Sequence, residues 1–197
     1  GYLGTELCKI YSGVSWSHKI TVIDNRFISE RVNQLRNWNI NFVHGDILDK
    51  GLINKYCKDA DIVHHLAGIT DVPRVKKDSN DSIDNQIILV GEKGTQNILD
   101  VISDKCKIIF PSTHVVYEGI DKVKNDINED ENTKPVLAYA ISKANNEKQL
   151  KDSGKNYIIL RLGSVYGYST DTARIDIMPN LFSKIASQNG TLKLFSG

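Results

Sequence analysis

A tyrosine and a lysine stand four residues apart in this chain, at Tyr139 and Lys143, and a hydroxyl residue, Thr113, follows an apolar run further upstream. Residues at positions i and i+4 of a helix share a face, so the ammonium of Lys143 can lie beside the phenol of Tyr139. Free tyrosine titrates near pH ~10, and a nearby cation favours its phenolate. These residue types are the parts of a proton-transfer site that accompanies hydride transfer. The same spacing also occurs where a solvated lysine lies beside a half-buried tyrosine, so the surrounding elements must decide.

The overall composition is that of an ordinary globular chain, with 40% apolar and 25% charged residues and a formal net charge of +1. The basic residues form no stripe, so we expect no nucleic-acid partner. A small basic patch at residues 72–77 is interpreted as a solvated loop. No apolar run approaches the ~18 residues of a membrane span, so no membrane partner is expected. The three cysteines include no Cys-x-x-Cys pair, which favours a reduced, cytoplasmic compartment.

Short β-rich segments alternate with helical patterns, which predicts an α/β fold with a Rossmann-like, doubly wound parallel sheet. We expect residues 1–163 to form this domain and residues 164–197 to begin a small substrate domain. Strands are predicted at residues 19–23, 40–43, 61–66, 107–110 and 157–161, and helices at 5–11, 30–36, 50–57, 82–100, 139–153 and 178–187.

The chain opens on a glycine turn, Gly1-Tyr2-Leu3-Gly4, that leads directly into a predicted helix. Such a turn normally follows a strand, and none precedes it here. We therefore expect the chain to be a fragment that lacks its first strand and most of its substrate domain, and that is inactive alone.

Ligands of a doubly wound sheet bind beyond the carboxyl ends of its strands. Asp24 ends a predicted strand ~20 residues after the glycine turn, where a dinucleotide-binding fold places the carboxylate for the adenosine ribose. A carboxylate there repels a 2′-phosphate and favours NAD over NADP, although Arg26 weakens the preference. Asp46 has an alternative role as the N-cap of the following helix. Further residues directly after predicted strands are Ala67, Gly68, Thr113 and Gly163.

Together these residues resemble the extended short-chain dehydrogenase/reductase superfamily, and within it the NAD-dependent sugar epimerase/dehydratase group. The resemblance covers essentially the whole chain, with Gly1 and Gly4 similar to the second and third glycines of the family fingerprint. The other matching segments follow in the family's order: Asp24, Gly45-Asp46-Ile47, His65-Leu66-Ala67-Gly68, residues 111–119, the Tyr139 and Lys143 pair, and residues 161–167.

The resemblance implies NAD as cofactor and a nucleotide sugar as substrate. Tyr139 would be the general acid or base at a sugar hydroxyl or carbonyl, and Lys143 would lower its pKa and hold the nicotinamide ribose. Thr113 would donate a hydrogen bond to the same substrate oxygen, while Ser112 is expected to be structural. The cofactor-binding residues would be Gly1, Tyr2, Leu3, Gly4, Asp24, Asn25, Asp46, Ile47, Leu66, Ala67, Gly68, Tyr139, Lys143 and Gly163, and the substrate-binding residues Thr113, His114 and Ser164.

Departures from the family pattern narrow the subclass. The family's 4,6-dehydratases carry an Asp-Glu pair after the threonine, and its decarboxylases a Glu at the second of those positions, where this chain has His114 and Val115. Valine cannot exchange a proton, so we expect epimerisation or simple ketone/alcohol redox. Two family asparagines are Gly91 and Ser164 here. Serine still bonds a phosphate or sugar hydroxyl, with less reach.

Three functions stay open. We expect an NAD-dependent nucleotide-sugar epimerase-type enzyme; the alternative is an NAD(P)-dependent reductase or dehydrogenase of a sugar or another carbonyl compound. A non-catalytic NAD-binding regulatory protein is less favoured, because both Tyr139 and Lys143 are present. His64 and His65 point to opposite faces of a strand, so no metal site is expected. Helices 82–100 and 139–153 could pair across a two-fold axis, as in many relatives, so a homodimer is a further expectation.

Overall fold

The computed structural model describes residues 1–14, 18–70, 80–169, 175 and 177–194. The basic patch at residues 72–77 lies outside this range. A single turn of 3-10 helix, His114–Tyr117, follows β4. The strands are β1 (Thr21–Asp24), β2 (Asn41–His44), β3 (Ile62–His64), β4 (Lys107–Thr113) and β5 (Asn156–Leu162), and the helices are α1 (Tyr2–Ser12), α2 (Ser29–Asn37), α3 (Lys50–Cys57), α4 (Asp81–Leu99), α5 (Ala138–Asp152) and α6 (Met178–Ser187).

The described strands form two sheets. One pairs β1 with β2, and the other has the order β3-β4-β5 with β4 in the middle. Both pairings of β4 are parallel, with Lys107 opposite Ile62 on one side and Asn156 on the other. Parallel strands need crossover connections, and helices α4 and α5 supply them. The predicted α/β class with a parallel sheet is confirmed.

Strand β4 runs to Thr113, three residues beyond its predicted end, although it contains Pro111. Backbone groups of alternate residues point to the same side of a strand. Lys107 and Ile109 bond to the β3 side, so Pro111 faces that side too. The register of β3 ends at His64, opposite Ile109, so the missing N–H of Pro111 breaks no ladder bond. The Pro111 carbonyl is consequently left for a side chain.

Helix α1 begins at Tyr2, so Gly4 lies inside the helix and Gly1 is its N-cap. The prediction had started this helix at residue 5. The prediction that Asp46 caps α3 is wrong: the N-cap is Asp49, whose side chain accepts a hydrogen bond from Leu52 N. Asp46 lies three residues too early and instead closes a turn on Leu48 N at 2.8 Å.

The main core joins helices α3, α4 and α5 to strand β4. Helices α4 and α5 pack side by side, and their approach is close because α4 carries Gly91 at the contact: a Cβ there would lie 2.1 Å from Ser142 Oγ of α5. Gly94 of the same helix makes room for Ile47, which precedes α3, since a Cβ at Gly94 would lie 2.9 Å from that side chain. The buried members of the core are Ile47, Ile53, Ile98, Leu99, Ile102, Cys106, Ile108, Phe110 and Leu150.

The chain divides into two compact units. One comprises Gly1–Ile20, Ile28–Asn41 and Ser164–Gly197, and the other comprises Thr21–Phe27 and Phe42–Gly163. The second unit holds the main core and the three-stranded sheet. The first unit groups residues 164–197 with two segments from the N-terminal part of the chain, and the division into a domain at residues 1–163 and a substrate domain at 164–197 stays a prediction. Among the described helices, none is both long and apolar enough to span a membrane.

Candidate active site

Tyr139 and Lys143 lie in the first turns of α5, on the face that the spacing predicted. Lys143 Nζ is 5.9 Å from the ring centre of Tyr139 and 4.4 Å from that of Phe110. The same ammonium donates a hydrogen bond to the Pro111 carbonyl at 2.8 Å. Burial lowers the pKa of Lys143 to about 8. Lys143 therefore lies beside Tyr139 and is bonded to β4 at Pro111, two residues before Thr113.

Thr113 and Ser112 are adjacent on β4 and have different partners. Thr113 is the last residue of the strand and is buried, and its Oγ1 accepts a hydrogen bond from Val115 N at 3.3 Å. Ser112 Oγ donates to Glu147 Oε1 at 2.6 Å. Successive side chains of a strand point to opposite faces, so only one of the two hydroxyls can face the same ligand. Among the described residues the Thr113 hydroxyl donates a hydrogen bond to no other group, whereas the Ser112 hydroxyl already donates one to Glu147 of α5.

His114, the next residue, is exposed and anchored to the neighbouring strand. Its Nδ1 lies 3.1 Å from the carbonyl oxygen of Leu162. Because a carbonyl only accepts, Nδ1 is the donor, and the lone pair of the neutral ring is on Nε2. Val115, beside it, has no group that exchanges a proton.

A buried ion pair beneath these residues was missed by the sequence interpretation, which had assigned Arg161 to a substrate-side segment. Arg161 Nη2 and Glu147 Oε2 are 2.6 Å apart, and both side chains are almost fully buried. Burial tends to raise the pKa of Glu147, but hydrogen bonds from Arg161 and Ser112, with the charge of Arg161, outweigh burial and lower it. Glu147 and Arg161 are 14 positions apart in the chain, and no spacing in the sequence indicated that they pair.

A second group of predicted residues gathers where β1 and β2 end. Asp24 Oδ1 accepts a hydrogen bond from Arg26 N at 2.9 Å. Asn25 Nδ2 donates to Asp46 Oδ2 at 3.1 Å, so the ends of the two strands are linked through side chains. Ile47 is buried, and its carbonyl accepts a hydrogen bond from Asn97 Nδ2. Asp24, Asn25, Asp46 and Ile47 therefore lie together.

The segment after β3 contains Leu66, Ala67 and Gly68, and its position is set by His65. His65 is buried, with Nε2 2.8 Å from Thr95 Oγ1 and its ring against Phe110. Burial, with a smaller effect from Lys143, lowers the pKa of His65 to about 3, so the ring is neutral at pH 7. The described residues contain no cluster of ligands that could hold a metal ion.

Several predicted cofactor residues are glycines that border open space. A Cβ built at Gly1, Gly68 or Gly163 would meet no atom within 4 Å. These positions differ from Gly91 and Gly94, whose missing side chains are explained by packing. A backbone with open space beside it can be approached closely by a ligand. Gly68 and Gly163, which belong to the same compact unit, thus leave room for a dinucleotide beside their backbone. Gly1, Tyr2, Leu3, Gly4 and Ser164 belong to the other compact unit.

Comparison with known proteins identifies the family. A profile of the NAD dependent epimerase/dehydratase family matches residues 1–197, and the chain belongs to this family. The predicted superfamily is thereby confirmed, and NAD is confirmed as the cofactor at the level of the family.

Two curated relatives are similar in sequence. The CDP-paratose 2-epimerase of Salmonella typhi is 30% identical, over 85% of this chain and 55% of that protein. The UDP-N-acetyl-alpha-D-glucosaminuronate decarboxylase of Bacillus cytotoxicus is 30% identical, over 59% of this chain and 35% of that protein. The chain thus spans about half or less of the length of these relatives.

A solved structure shows the fold. The UDP-glucuronic acid 4-epimerase of Bacillus cereus, crystallised with UDP-glucuronic acid and NAD, superposes with a TM-score of 0.75 at 24% identity. The match covers 100% of this chain and 63% of that one. The Rossmann-like prediction is confirmed.

Proposed function

We propose that this chain carries the cofactor-binding and proton-transfer part of an NAD-dependent nucleotide-sugar epimerase-type enzyme. The observation that carries the proposal is the position of Lys143, which is partly buried, lies beside the ring of Tyr139 and is bonded to Pro111 near Thr113. A cation so close to a phenol favours the phenolate.

In this proposal Tyr139 exchanges a proton with a hydroxyl or carbonyl oxygen of the sugar. Thr113 donates its hydroxyl proton to the same oxygen and holds it in place. Lys143 provides the positive charge that lets Tyr139 act near neutral pH, and its ammonium can turn from Pro111 to a ribose hydroxyl. Bound NAD would supply the hydride acceptor and donor for the sugar, while the residues of the chain supply geometry and proton transfer.

NAD is the proposed cofactor of this chain, rather than NADP. Asp24 would bind the adenosine ribose, and Asn25, Asp46 and Ile47 the adenosine nearby. The N-terminus of α1 has no acidic residue in its first turn, which suits the negative pyrophosphate. The other residues proposed to bind NAD are Gly1, Tyr2, Leu3, Gly4, Leu66, Ala67, Gly68, Tyr139, Lys143 and Gly163.

A nucleotide sugar is the proposed substrate, with Thr113, His114 and Ser164 in contact with it. The exposed ring of His114, held through Nδ1, can bond a hydroxyl through Nε2. Val115 removes the acid or base needed for elimination or decarboxylation, so epimerisation is favoured. We therefore do not propose for this chain the decarboxylation that is named for the Bacillus cytotoxicus relative.

The alternative is a reductase or dehydrogenase that uses the same Tyr139 and Lys143. An epimerase keeps its NAD and shows no net redox, whereas a reductase exchanges the cofactor at every turnover. A regulatory protein that only binds NAD is a third and weaker candidate. The cytoplasm is the proposed compartment, supported by the free thiols of all three cysteines.

We also propose that the complete protein forms a homodimer through α4 and α5. The outward side of this helix pair carries Leu89, which is 56% exposed. It borders a shallow groove whose other lining residues are Asn85, Ile88, Glu92, Lys93, Gln96 and Gln149. A second copy of the pair would cover Leu89 and could pair with the polar and charged groups around it.

The test of the activity is product analysis of a nucleotide-sugar panel with added NAD⁺, on the complete protein and its Tyr139→Phe variant. We expect isomer formation without net NADH, and a fall in kcat of ~10²–10⁴-fold in the variant because the acid/base is lost. Tyr157→Phe is the matched control. Tyr157 lies near the start of β5, whereas Thr113 is paired with Leu162 at the end of that strand. This variant should behave as wild type.

The other outcomes separate the alternatives. Net NADH formation would make the protein a dehydrogenase. No conversion, with NAD bound equally well by wild type and Tyr139→Phe, would indicate a substrate outside the nucleotide sugars or a binding protein. Wild-type turnover by Tyr139→Phe would contradict the proposed mechanism.

A further inference from the structure

Helix α5 begins one residue before Tyr139, and its first turn lacks a capping side chain of its own. The N-cap residue, Leu137, forms no side-chain cap, and the first turn contains no acidic residue. Helix N-termini leave backbone N–H groups without partners inside the helix. At α5 a residue 19 positions earlier in the chain supplies an acceptor for the N–H of the N-cap residue, Leu137, and for that of Val136 just before it. Glu118 Oε1 accepts hydrogen bonds from Val136 N at 2.8 Å and from Leu137 N at 2.6 Å.

Glu118 is held in place because the loop that it starts, residues 118–137, is closed at its base. Gly119 N donates to the Lys134 carbonyl at 2.9 Å, and Lys134 N donates to the Val116 carbonyl at 2.8 Å. These two bonds bring the beginning and the end of the loop together. The carboxylate therefore meets Val136 and Leu137 without a long flexible reach.

The loop is also anchored to the buried ion pair. The Tyr117 hydroxyl donates to the Asn128 carbonyl at 2.9 Å, and Arg161 Nη1 donates to the Glu129 carbonyl at 2.9 Å. Arg161 is itself paired with Glu147 of α5. Helix α5 is thus fixed at its start through Glu118 and two turns further along through Glu147.

The same short segment carries the other proposed catalytic hydroxyl. Thr113 precedes the 3-10 helix His114–Tyr117, and Glu118 follows it directly. One turn of helix, with Val116 fully buried, therefore joins Thr113 at the end of β4 to the residue that caps the helix of Tyr139.

We propose that Glu118 is a positioning residue that sets the first turn of α5, and with it the phenol of Tyr139, against Thr113. The inference rests on the proposed catalytic role of Tyr139. A misplacement of about 1 Å at a reacting group can lower a rate by ~10²-fold. Glu118 is exposed, so its replacement leaves the core intact.

The test compares Glu118→Ala, Glu118→Gln and Asp121→Asn in the complete protein. Steady-state kinetics, NAD affinity and amide hydrogen exchange at residues 136–141 are measured for each. We expect Glu118→Ala to lower kcat by ~10- to 100-fold, to leave KM and NAD affinity within about threefold, and to speed exchange at residues 136–137. Glutamine still offers an amide oxygen to both N–H groups, so Glu118→Gln should restore kcat to within about threefold. Asp121, which pairs with Lys134 at the surface of the same loop, is the control and should behave as wild type.

Each contrary result has a definite meaning. Unchanged exchange at residues 136–137 in Glu118→Ala would overturn the inference, because the cap would then be dispensable. So would a glutamine variant as slow as the alanine variant. Activity lost in Tyr139→Phe but kept in Glu118→Ala would overturn the inference and leave the proposed function standing. Activity kept in Tyr139→Phe would overturn the proposed function itself.

Discussion

Lys143 is a partly buried cation whose partners are neutral. It contacts the Pro111 carbonyl and the rings of Phe110 and Tyr139, and in the part of the chain that the structure describes no carboxylate pairs with it. Burial without a counter-ion makes the charged form unfavourable, which is why its pKa falls to about 8. In the proposed mechanism the same charge is needed by Tyr139. Stability and activity therefore conflict at this residue.

The conflict predicts opposite effects of Lys143→Met on activity and stability. The variant should lose activity, yet its free energy of unfolding at pH 7 should equal or exceed that of wild type. The folded pKa of about 8 lies below the ordinary value of 10.5, so between these values the unfolded chain binds a proton that the folded chain does not. Wild-type stability therefore rises with pH there, by up to ~1.4 kcal/mol per unit, and the advantage of methionine shrinks.

Urea denaturation of both proteins at pH 7, 8, 9 and 10 measures this effect. The exposed Lys148 of the same helix provides the control, because Lys148→Met should show no such narrowing. If the difference in the free energy of unfolding between wild type and Lys143→Met stayed constant across these pH values, the lowered pKa of Lys143 in the folded protein would be contradicted.

Helices α4 and α5 cross where neither carries a large side chain. Gly91 stands where the family often has an asparagine, and the structure explains why a side chain does not fit. A Cβ there would lie 2.1 Å from Ser142 Oγ and 3.3 Å from Asn146 Oδ1. Ser142 Oγ meanwhile donates to the Ile87 carbonyl at 3.3 Å, so the hydroxyl fills the space that the glycine leaves. The crossing positions α5, and therefore Tyr139.

The close crossing predicts that Gly91→Ala destabilises the protein by ~1–3 kcal/mol, because the new methyl group overpacks the contact. Ser142→Ala removes the clashing oxygen, so the double variant should be more stable than Gly91→Ala alone. Gly13→Ala at the exposed C-cap of α1 is the control, because a Cβ there would meet only backbone oxygens at 3.6 Å or more, and it should be neutral or slightly stabilising. Thermal unfolding is measured for Gly91→Ala, Ser142→Ala, the double variant and the control. If the losses of stability caused by Gly91→Ala and Ser142→Ala simply add in the double variant, the contact between residues 91 and 142 is refuted.

At the scale of the molecule, the two compact units are unequal. The second unit contains the main core, whereas α6 in the first unit has no buried residue. Burial of apolar surface is the dominant favourable term in folding, so stability is concentrated in the second unit. The proposed proton-transfer residues Thr113, Tyr139 and Lys143 all belong to it. The outer surface of α4 and α5 belongs to it as well.

The proposed dimer predicts that Leu89→Glu yields a monomer, because a carboxylate would be buried without a partner at the two-fold contact. Val123→Glu is the control: Val123 is 98% exposed in the loop after Glu118, so a charge there should leave the dimer intact. Size-exclusion chromatography with light scattering of the complete protein measures the mass. A wild-type monomer, or a dimer that survives Leu89→Glu, would refute the proposed surface.

Local patterns in the chain were sufficient for much of the fold. The residues of α3 and α6 were predicted to the exact bounds, because hydrophobic spacing and helix propensity act within a few residues of the helix itself. The pairing of Tyr139 with Lys143 on one face follows from the same periodicity. The end of β4 was not predicted, because Pro111 is tolerated only where β3 has stopped, and this depends on a neighbouring strand.

The chain's own order of residues was therefore enough to indicate the α/β class, the family and the three residues proposed for proton transfer. The folded arrangement was needed to show that Ser112 bonds Glu147, that Arg161 is buried in an ion pair, and that Glu118 caps α5. Each of these contacts joins residues 14 to 35 positions apart in sequence. No local periodicity encodes such pairs, because the packing of a helix on a sheet decides which distant polar groups must satisfy one another.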